Sequence, residues 1–167
     1  TIESEVFSQS GLKSLTLPST VKELKEGWCI DTPNLINVSI DENGQHLSYL
    51  GDNHKIILYK KEINQEKYDE IIFATRNIKE INIPSYIKII NSYSFNNCQK
   101  IETINIENNS QLEIIEKNSF SNSSIRNIFI PKNVKIIGSG SFAWCKQLVT
   151  IDFEDGSQLE NIEKGAF

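Results

Sequence analysis

The run Glu154-Asp155-Gly156-Ser157-Gln158-Leu159-Glu160-Asn161-Ile162-Glu163-Lys164-Gly165-Ala166-Phe167 is almost a copy of one 47 residues earlier. The earlier run reads Glu107-Asn108-Asn109-Ser110-Gln111-Leu112-Glu113-Ile114-Ile115-Glu116-Lys117-Asn118-Ser119-Phe120. A second pair shares the offset: Ile83-Pro84, Ile87-Lys88-Ile89-Ile90 and Phe95 against Ile130-Pro131, Val134-Lys135-Ile136-Ile137 and Phe142. A chain that copies itself at fixed spacing stacks one small unit many times, so its fold is quasi-one-dimensional.

The period splits in two, because a shorter pattern recurs about every 23 residues. It opens with apolar-x-x-apolar-x-apolar, as at Leu12/Leu15/Leu17, Leu35/Val38/Ile40, Ile78/Ile81/Ile83, Ile101/Ile104/Ile106, Ile125/Ile128/Ile130 and Leu148/Ile151/Phe153. The last two apolar positions alternate as in a strand with one buried face. The unit closes with apolar-x-x-Ile-x-x-x-x-Phe, at Ile87/Ile90/Phe95, Leu112/Ile115/Phe120, Val134/Ile137/Phe142 and Leu159/Ile162/Phe167. Val21/Leu24 begin the same pattern with Cys29 in the Phe slot, and Ile2 and Phe7 supply its tail. So short a unit buries its apolar face only against neighbours above and below. The triplets are predicted to form one parallel sheet with rungs about 4.8 Å apart. The Phe residues are predicted to form a column on the opposite wall. Pro18, Pro84 and Pro131 lack an amide donor and stop the strands. No segment carries a long helical period, so the outer wall is expected to be short turns, single-turn helices or extended chain.

The pattern resembles leucine-rich repeats, and more narrowly the BspA-like class. The resemblance rests on the Ile-Pro after the strand and on Val134, Lys135, Ile137, Gly138 and Phe142. It rests also on the Phe-x-x-Cys step, present as Phe95–Cys98 and Phe142–Cys145. It implies a right-handed solenoid and a surface or secreted repeat protein of bacteria or protists, engaged in adhesion. It covers nearly all of the chain outside residues 41–77.

At 167 residues and 38% hydrophobic, the chain suffices for one extended domain, residues 1–167, with a continuous core. The absence of an initial Met, of polar caps and of any phase break at either end points to a piece of a longer chain. A net charge of -5 with Lys and Glu interspersed argues against a nucleic-acid footprint, which needs a clustered basic face. It gives no ground for attraction to anionic lipid, and no segment inserts into a membrane. Cys98 and Cys145 sit two repeats apart, about 10 Å, beyond the ~7 Å Cα limit for a disulfide. All three cysteines are read as small buried residues, and free thiols leave the compartment open between cell surface and cytoplasm.

From Leu35 to Ile78 the spacing lengthens, and strand-like runs appear at residues 46–50, 55–60 and 70–75. We read residues 41–77 as a β-hairpin-like insertion or small three-stranded flap protruding from the solenoid, removable (residues 44–74) without loss of the fold. It is either a specificity element or an elongated repeat packing its own Tyr49, Tyr59 and Tyr68.

His46 and His54, with Asp52 between them, are the sole candidates for a metal or acid–base cluster, and read better as exposed loop residues. Glu113, Glu116, Glu160 and Glu163 recur with the fold, whereas an active site occurs once. No phosphate loop or nucleophile elbow is present, so no catalytic residue, metal or cofactor is assigned. The residues flanking the central apolar position of each triplet point away from the core. They are Ser14/Thr16, Asn37/Ser39, Glu80/Asn82, Thr103/Asn105, Asn127/Phe129 and Thr150/Asp152. This concave face is either a binding surface for a protein or extracellular-matrix ligand, or a plain solvated sheet face. Three Asn-x-Ser sequons, at Asn37, Asn108 and Asn122, hint at surface exposure. Other readings are a structural spacer, or an intracellular recognition module attached to an enzymatic domain elsewhere.

Overall fold

The computed structural model describes residues 1–41 and 43–167. Its strands run in chain order as β1 (Ser14–Leu17), β2 (Asn37–Ile40), β3 (Leu47–Tyr49), β4 (Ile56–Tyr59), β5 (Glu70–Ala74), β6 (Glu80–Ile83) and β7 (Ile89–Ile90). They continue as β8 (Thr103–Ile106), β9 (Ile114–Ile115), β10 (Asn127–Ile130), β11 (Ile136–Ile137), β12 (Thr150–Phe153) and β13 (Asn161–Ile162). The chain is a β-solenoid of parallel rungs, with no helix among the described residues.

The four-residue strands are the second halves of the triplets, and their inward side chains build one wall of the core. Val38, Ile81, Ile83, Ile128 and Ile130 are buried. The sheet expected to be continuous is divided into three parallel pairs, β1–β2, β6–β8 and β10–β12. Paired strands lie 23 residues apart, as in Asn82 opposite Asn105, whereas β8 and β10 lie 24 apart and form no ladder. After β1, β6 and β10 the chain turns identically: Val21, Ile87 and Val134 donate their amides to the carbonyls of Pro18, Pro84 and Pro131.

Of the outer-wall alternatives, the structure has turns and extended chain, with no helix among the described residues. The Ile-Ile pairs of β7, β9 and β11 and the Asn161-Ile162 pair of β13 stack as a second parallel sheet. Beyond them each rung passes through turns holding a left-handed residue two positions before Phe and another two after it. These are Tyr93 and Asn97, Asn118 and Asn122, Gly140 and Trp144, with φ between 51° and 62°. A residue in that region every four positions interrupts α-helical hydrogen bonding. The freed amides bond to the next rung instead: Phe95 to the Ser119 carbonyl (2.7 Å), Phe120 to Ser141 (2.7 Å) and Phe142 to Ala166 (2.6 Å). The column of rings follows. Phe95, Phe120, Phe142 and Phe167 stack nearly parallel at centroid spacings of 4.8, 5.2 and 5.3 Å.

The insertion does not protrude, and this corrects the sequence reading. β3, β4 and β5 are antiparallel, and β5 then lies parallel to β7 as the next rung of the second sheet. Ile56, Leu58, Ile71 and Ala74 pack into the core that runs to the C-terminus. Leu47, Ile57 and Phe73 pack into the N-terminal core with Trp28, Leu35 and Val38. The segment is thus a layer between the two cores, because Ile56-Ile57-Leu58 and Ile71-Ile72-Phe73-Ala74 are apolar on both strand faces. Tyr49 carries the join. Its hydroxyl accepts from the Ile40 amide (2.8 Å) and donates to the Val38 carbonyl (3.1 Å). Those two groups lie on the edge of β2 turned away from β1, since Asn37 and Asp41 donate to the β1 side. A phenol thus satisfies the sheet edge where another strand would pair.

Candidate functional site

The alternation of each four-residue strand sends its first and third side chains outward. Register then lines them up across rungs: Ser14 with Asn37, Thr16 with Ser39, Glu80 with Thr103, Asn82 with Asn105, Asn127 with Thr150, Phe129 with Asp152. Ser39 is half-buried and the other eleven are exposed. Two of the pairs bond directly. Asn105 Nδ2 donates to Asn82 Oδ1 at 3.0 Å, and Thr150 Oγ1 donates to Asn127 Oδ1 at 2.7 Å. The division of the sheet separates this row into three patches of four residues.

Phe129 departs from the row. Half of its surface is exposed (50%), and it borders a hollow of about 400 Å³ with Glu107, Asn108, Asn109 and Glu154. Both carboxylates there are fastened to neighbouring turns. Glu107 Oε2 accepts from the Ser85 amide and Glu154 Oε2 from the Lys132 amide, each at 2.9 Å. They hold the rim in shape and give the hollow negative charge, with Asp152 opposite Phe129.

The remaining candidates fall elsewhere. His46 Nδ1 lies 3.1 Å from the Lys60 carbonyl oxygen and its ring stacks on Tyr59. His54 packs on Tyr49, with ring centroids 4.3 Å apart. Each histidine therefore has its own tyrosine, and no group of three or more His, Cys, Asp or Glu suited to a metal occurs among the described residues. The repeated carboxylates serve the outer wall. Glu113 pairs with Lys135 at 3.0 Å and Glu163 accepts from the Ser139 amide at 2.9 Å. Burial raises the Glu116 carboxyl above its ordinary range. Burial does the same for Glu70 on β5, opposed by a hydrogen bond from Asn91. All three cysteines are free, Cys29 and Cys98 buried and Cys145 partly so. Of the sequons, Asn37 and Asn108 are exposed, whereas the Asn122 amide donates to Asn97 Oδ1.

Three residues with special environments were not singled out by periodicity. Tyr49 closes the β2 edge, Arg76 is buried at 3% exposure with no carboxylate partner among the described residues, and Trp144 is 74% exposed. Only Trp144 left a trace in the sequence. It stands in a Phe-x-x-Cys step where the equivalent step carries Asn97.

A family model described as "BspA type Leucine rich repeat region" matches residues 1–53 and 66–167 in six copies. Among solved structures, a leucine-rich repeat protein from Eubacterium ventriosum superposes with a TM-score of 0.73 at 22% identity, over 92% of this chain and 40% of that one. A leucine rich cell surface protein from Faecalibacterium prausnitzii gives 0.53 at 14% identity, over 91% of this chain and 50% of that one. At these identities the likeness is one of fold, and the chain spans half or less of the proteins it resembles. No curated protein matches the sequence. No helix among the described residues is long and apolar enough to cross a membrane.

Proposed function

The chain belongs to the BspA-type leucine-rich-repeat family, and from that premise we propose that it is a non-catalytic binding segment of a surface or secreted adhesin. Its ligand is a host or matrix protein, held against the concave face and the exposed tips of the insertion. The observation that carries this reading is the Phe129 hollow. An exposed aromatic beside a rim-fixed cavity is the kind of anchor on which protein interfaces concentrate their affinity. The aligned Asn, Ser and Thr pairs around it supply short donors and acceptors that lose little conformational entropy when ordered.

Two measurements test this. An antibody to the chain should label intact source cells before permeabilisation; labelling only afterwards would remove the adhesin reading. Purified matrix proteins should bind the immobilised chain, and Phe129→Ala with Asn127→Ala should weaken that binding at least tenfold without changing the melt. Unaltered binding by the double variant would take the concave face out of the proposal.

A further inference from the structure

The residue after β1, β2, β6, β8, β10 and β12 alternates between proline and acid: Pro18, Asp41, Pro84, Glu107, Pro131 and Glu154. Pro131 thus has an acid on the rung before it and on the rung after. A proline carries neither an amide hydrogen nor a charge, so its own side chain and nitrogen give these acids no partner. Glu107 reaches back for the Ser85 amide and Glu154 for the Lys132 amide, each through Oε2. Glu107 Oε1 makes no hydrogen bond, and neither carboxylate forms an ion pair, among the described residues. Lys132, the base next to Pro131, is exposed and lines no part of the hollow.

Phe129 lines the same hollow, and Asp152 faces it across the register. β10 has a strand on either side, β8 and β12. The exposure of the Phe129 ring therefore belongs to the concave face and not to an end of the chain. Every other outward position of that row carries Ser, Thr, Asn, Asp or Glu. The hollow thus combines apolar walls, from Ile106, Phe129 and Pro131, with acidic ones from Glu107 and Glu154.

That combination selects its occupant by elimination. An apolar side chain strips water from Glu107 and Glu154 and returns no bond. An anion meets three carboxylates. A cation is drawn both by the charge and by the face of the ring. Of the two cationic side chains, arginine suits these walls better. Its guanidinium is planar, weakly hydrated and stacks on aromatic faces, with five donors around its edge for carboxylates. The lysine ammonium is compact and strongly hydrated. We propose that the hollow seats an arginine side chain of the partner protein, its guanidinium flat on Phe129 and hydrogen-bonded to Glu107, with Glu154 and Asp152 balancing its charge. This seat presupposes the concave face as the contact surface, and narrows the partner to one that presents a basic, arginine-bearing segment.

The test uses the whole chain and blocked peptides of the form acetyl-Gly-Gly-X-Gly-Gly-amide, with X as arginine, lysine, citrulline, leucine or glutamate. Saturation-transfer NMR should show the arginine peptide binding with Kd on the order of 1 mM. Citrulline keeps the shape without the charge, and its peptide should bind about tenfold more weakly, with lysine between the two. Glu107→Gln and Phe129→Ala should each weaken the arginine peptide about tenfold without changing the melt. Glu113→Gln, which removes a carboxylate of the outer wall, should leave binding unaltered. No binding of the arginine peptide, equal binding of the citrulline peptide, or unchanged affinity in both hollow variants would each overturn the proposal. A preference for the leucine peptide that Phe129→Ala abolishes would overturn the arginine and leave the concave face as the contact surface. The assay contains no cell and no matrix protein. Matrix proteins failing to bind a chain that still takes the arginine peptide through Glu107 and Phe129 would sink the adhesin reading and uphold the arginine seat.

Discussion

The guanidinium of Arg76 lies 3.6 Å, through Nη2, from the sulfur of Cys29, a residue 47 positions earlier. The contact arises because the aromatic column is interrupted. Ala74 donates its amide to the Ser94 carbonyl just as Phe95 donates to Ser119, so Ala74 occupies the Phe slot of its rung. Cys29 is the small residue in the corresponding slot of another. The vacated space is filled by Arg76, whose Nη1 donates to the Ala74 and Ser94 carbonyls, both at 3.2 Å, and reaches Cys98 Sγ at 3.8 Å. Its charge sits 4.8 Å from the centre of the Phe73 ring. No carboxylate pairs with it among the described residues.

A cation held by carbonyls, thiols and a ring makes a definite prediction. Arg76→Ala opens a cavity and strips the Ala74 carbonyl of its strongest donor, and should cost about 3–5 kcal/mol. Arg76→Met keeps the volume and removes a desolvated charge, so its cost should be smaller, about 1–2 kcal/mol. Urea denaturation of both variants checks the order. Equal costs would mean that charge, not volume, is what the site requires.

The two walls of the solenoid are expected to respond differently. Phe142 is buried between the rings of Phe120 and Phe167, and Phe142→Ala should cost about 3–5 kcal/mol. Phe129→Ala should stay within about 0.5 kcal/mol of wild type. Thermal melts that fall equally would show that the outward assignment of Phe129 is wrong.

Those two positions were legible because each repeats: Phe at one slot of every clean unit, and an outward-facing pair flanking each central apolar residue. Register alone then placed Asn82 beside Asn105 and Thr150 beside Asn127. The second sheet was harder to see. Ile89-Ile90 and Ile136-Ile137 are too short to show a strand period, so nothing in them revealed that β5 would join their ladder. The role of Tyr49 depends on which edge of β2 is open, and that of Arg76 on a void left by two small residues. Both are products of stacking rather than of any local pattern.

Joining that ladder reverses the expectation for the insertion. Deleting residues 44–74 removes Ile56, Leu58, Ile71 and Phe73 from two cores and uncovers the edges of β2 and β7. The product should lack a cooperative thermal transition in circular dichroism. Tyr49→Phe isolates one part of that join, and should cost about 1–3 kcal/mol by leaving the Ile40 amide and the Val38 carbonyl without the hydroxyl. A cooperative melt in the deletion product would return the segment to the status of an appendage.

Burial pushes the Cys29 thiol up to about 11 from an ordinary 9.0, opposed in part by Arg76. A raised folded-state value means that the associated stability is fully present below pH 9 and is lost as pH rises through 11. At most about 2–3 kcal/mol is at stake. The melting temperature should therefore fall more steeply over this window in wild type than in Cys29→Ala. Iodoacetamide at pH 8 should leave Cys29 and Cys98 unmodified in the folded chain and alkylate all three cysteines in urea. Rapid alkylation of Cys29 in the folded state would contradict its burial.

Gly138 and Gly156 present opposite cases of the same residue. A Cβ on Gly138 would lie 2.6 Å from the Lys117 amide nitrogen and 2.8 Å from the Glu116 carbonyl carbon, both backbone atoms of the adjacent rung. Neither can yield without parting the second sheet, in which Ile136 and Ile137 pair with Ile114 and Ile115. Gly156 has open space around it, and its φ of +78° is the sole objection to a side chain. Gly156→Ala should thus cost about 1–2 kcal/mol, the strain of the left-handed backbone alone. Gly138→Ala adds overlap with atoms that cannot move and should cost more, at least about 3 kcal/mol. Chemical denaturation of the two variants decides it: if Gly138→Ala is the milder one, the rungs are less tightly stacked at that turn than their hydrogen bonds imply.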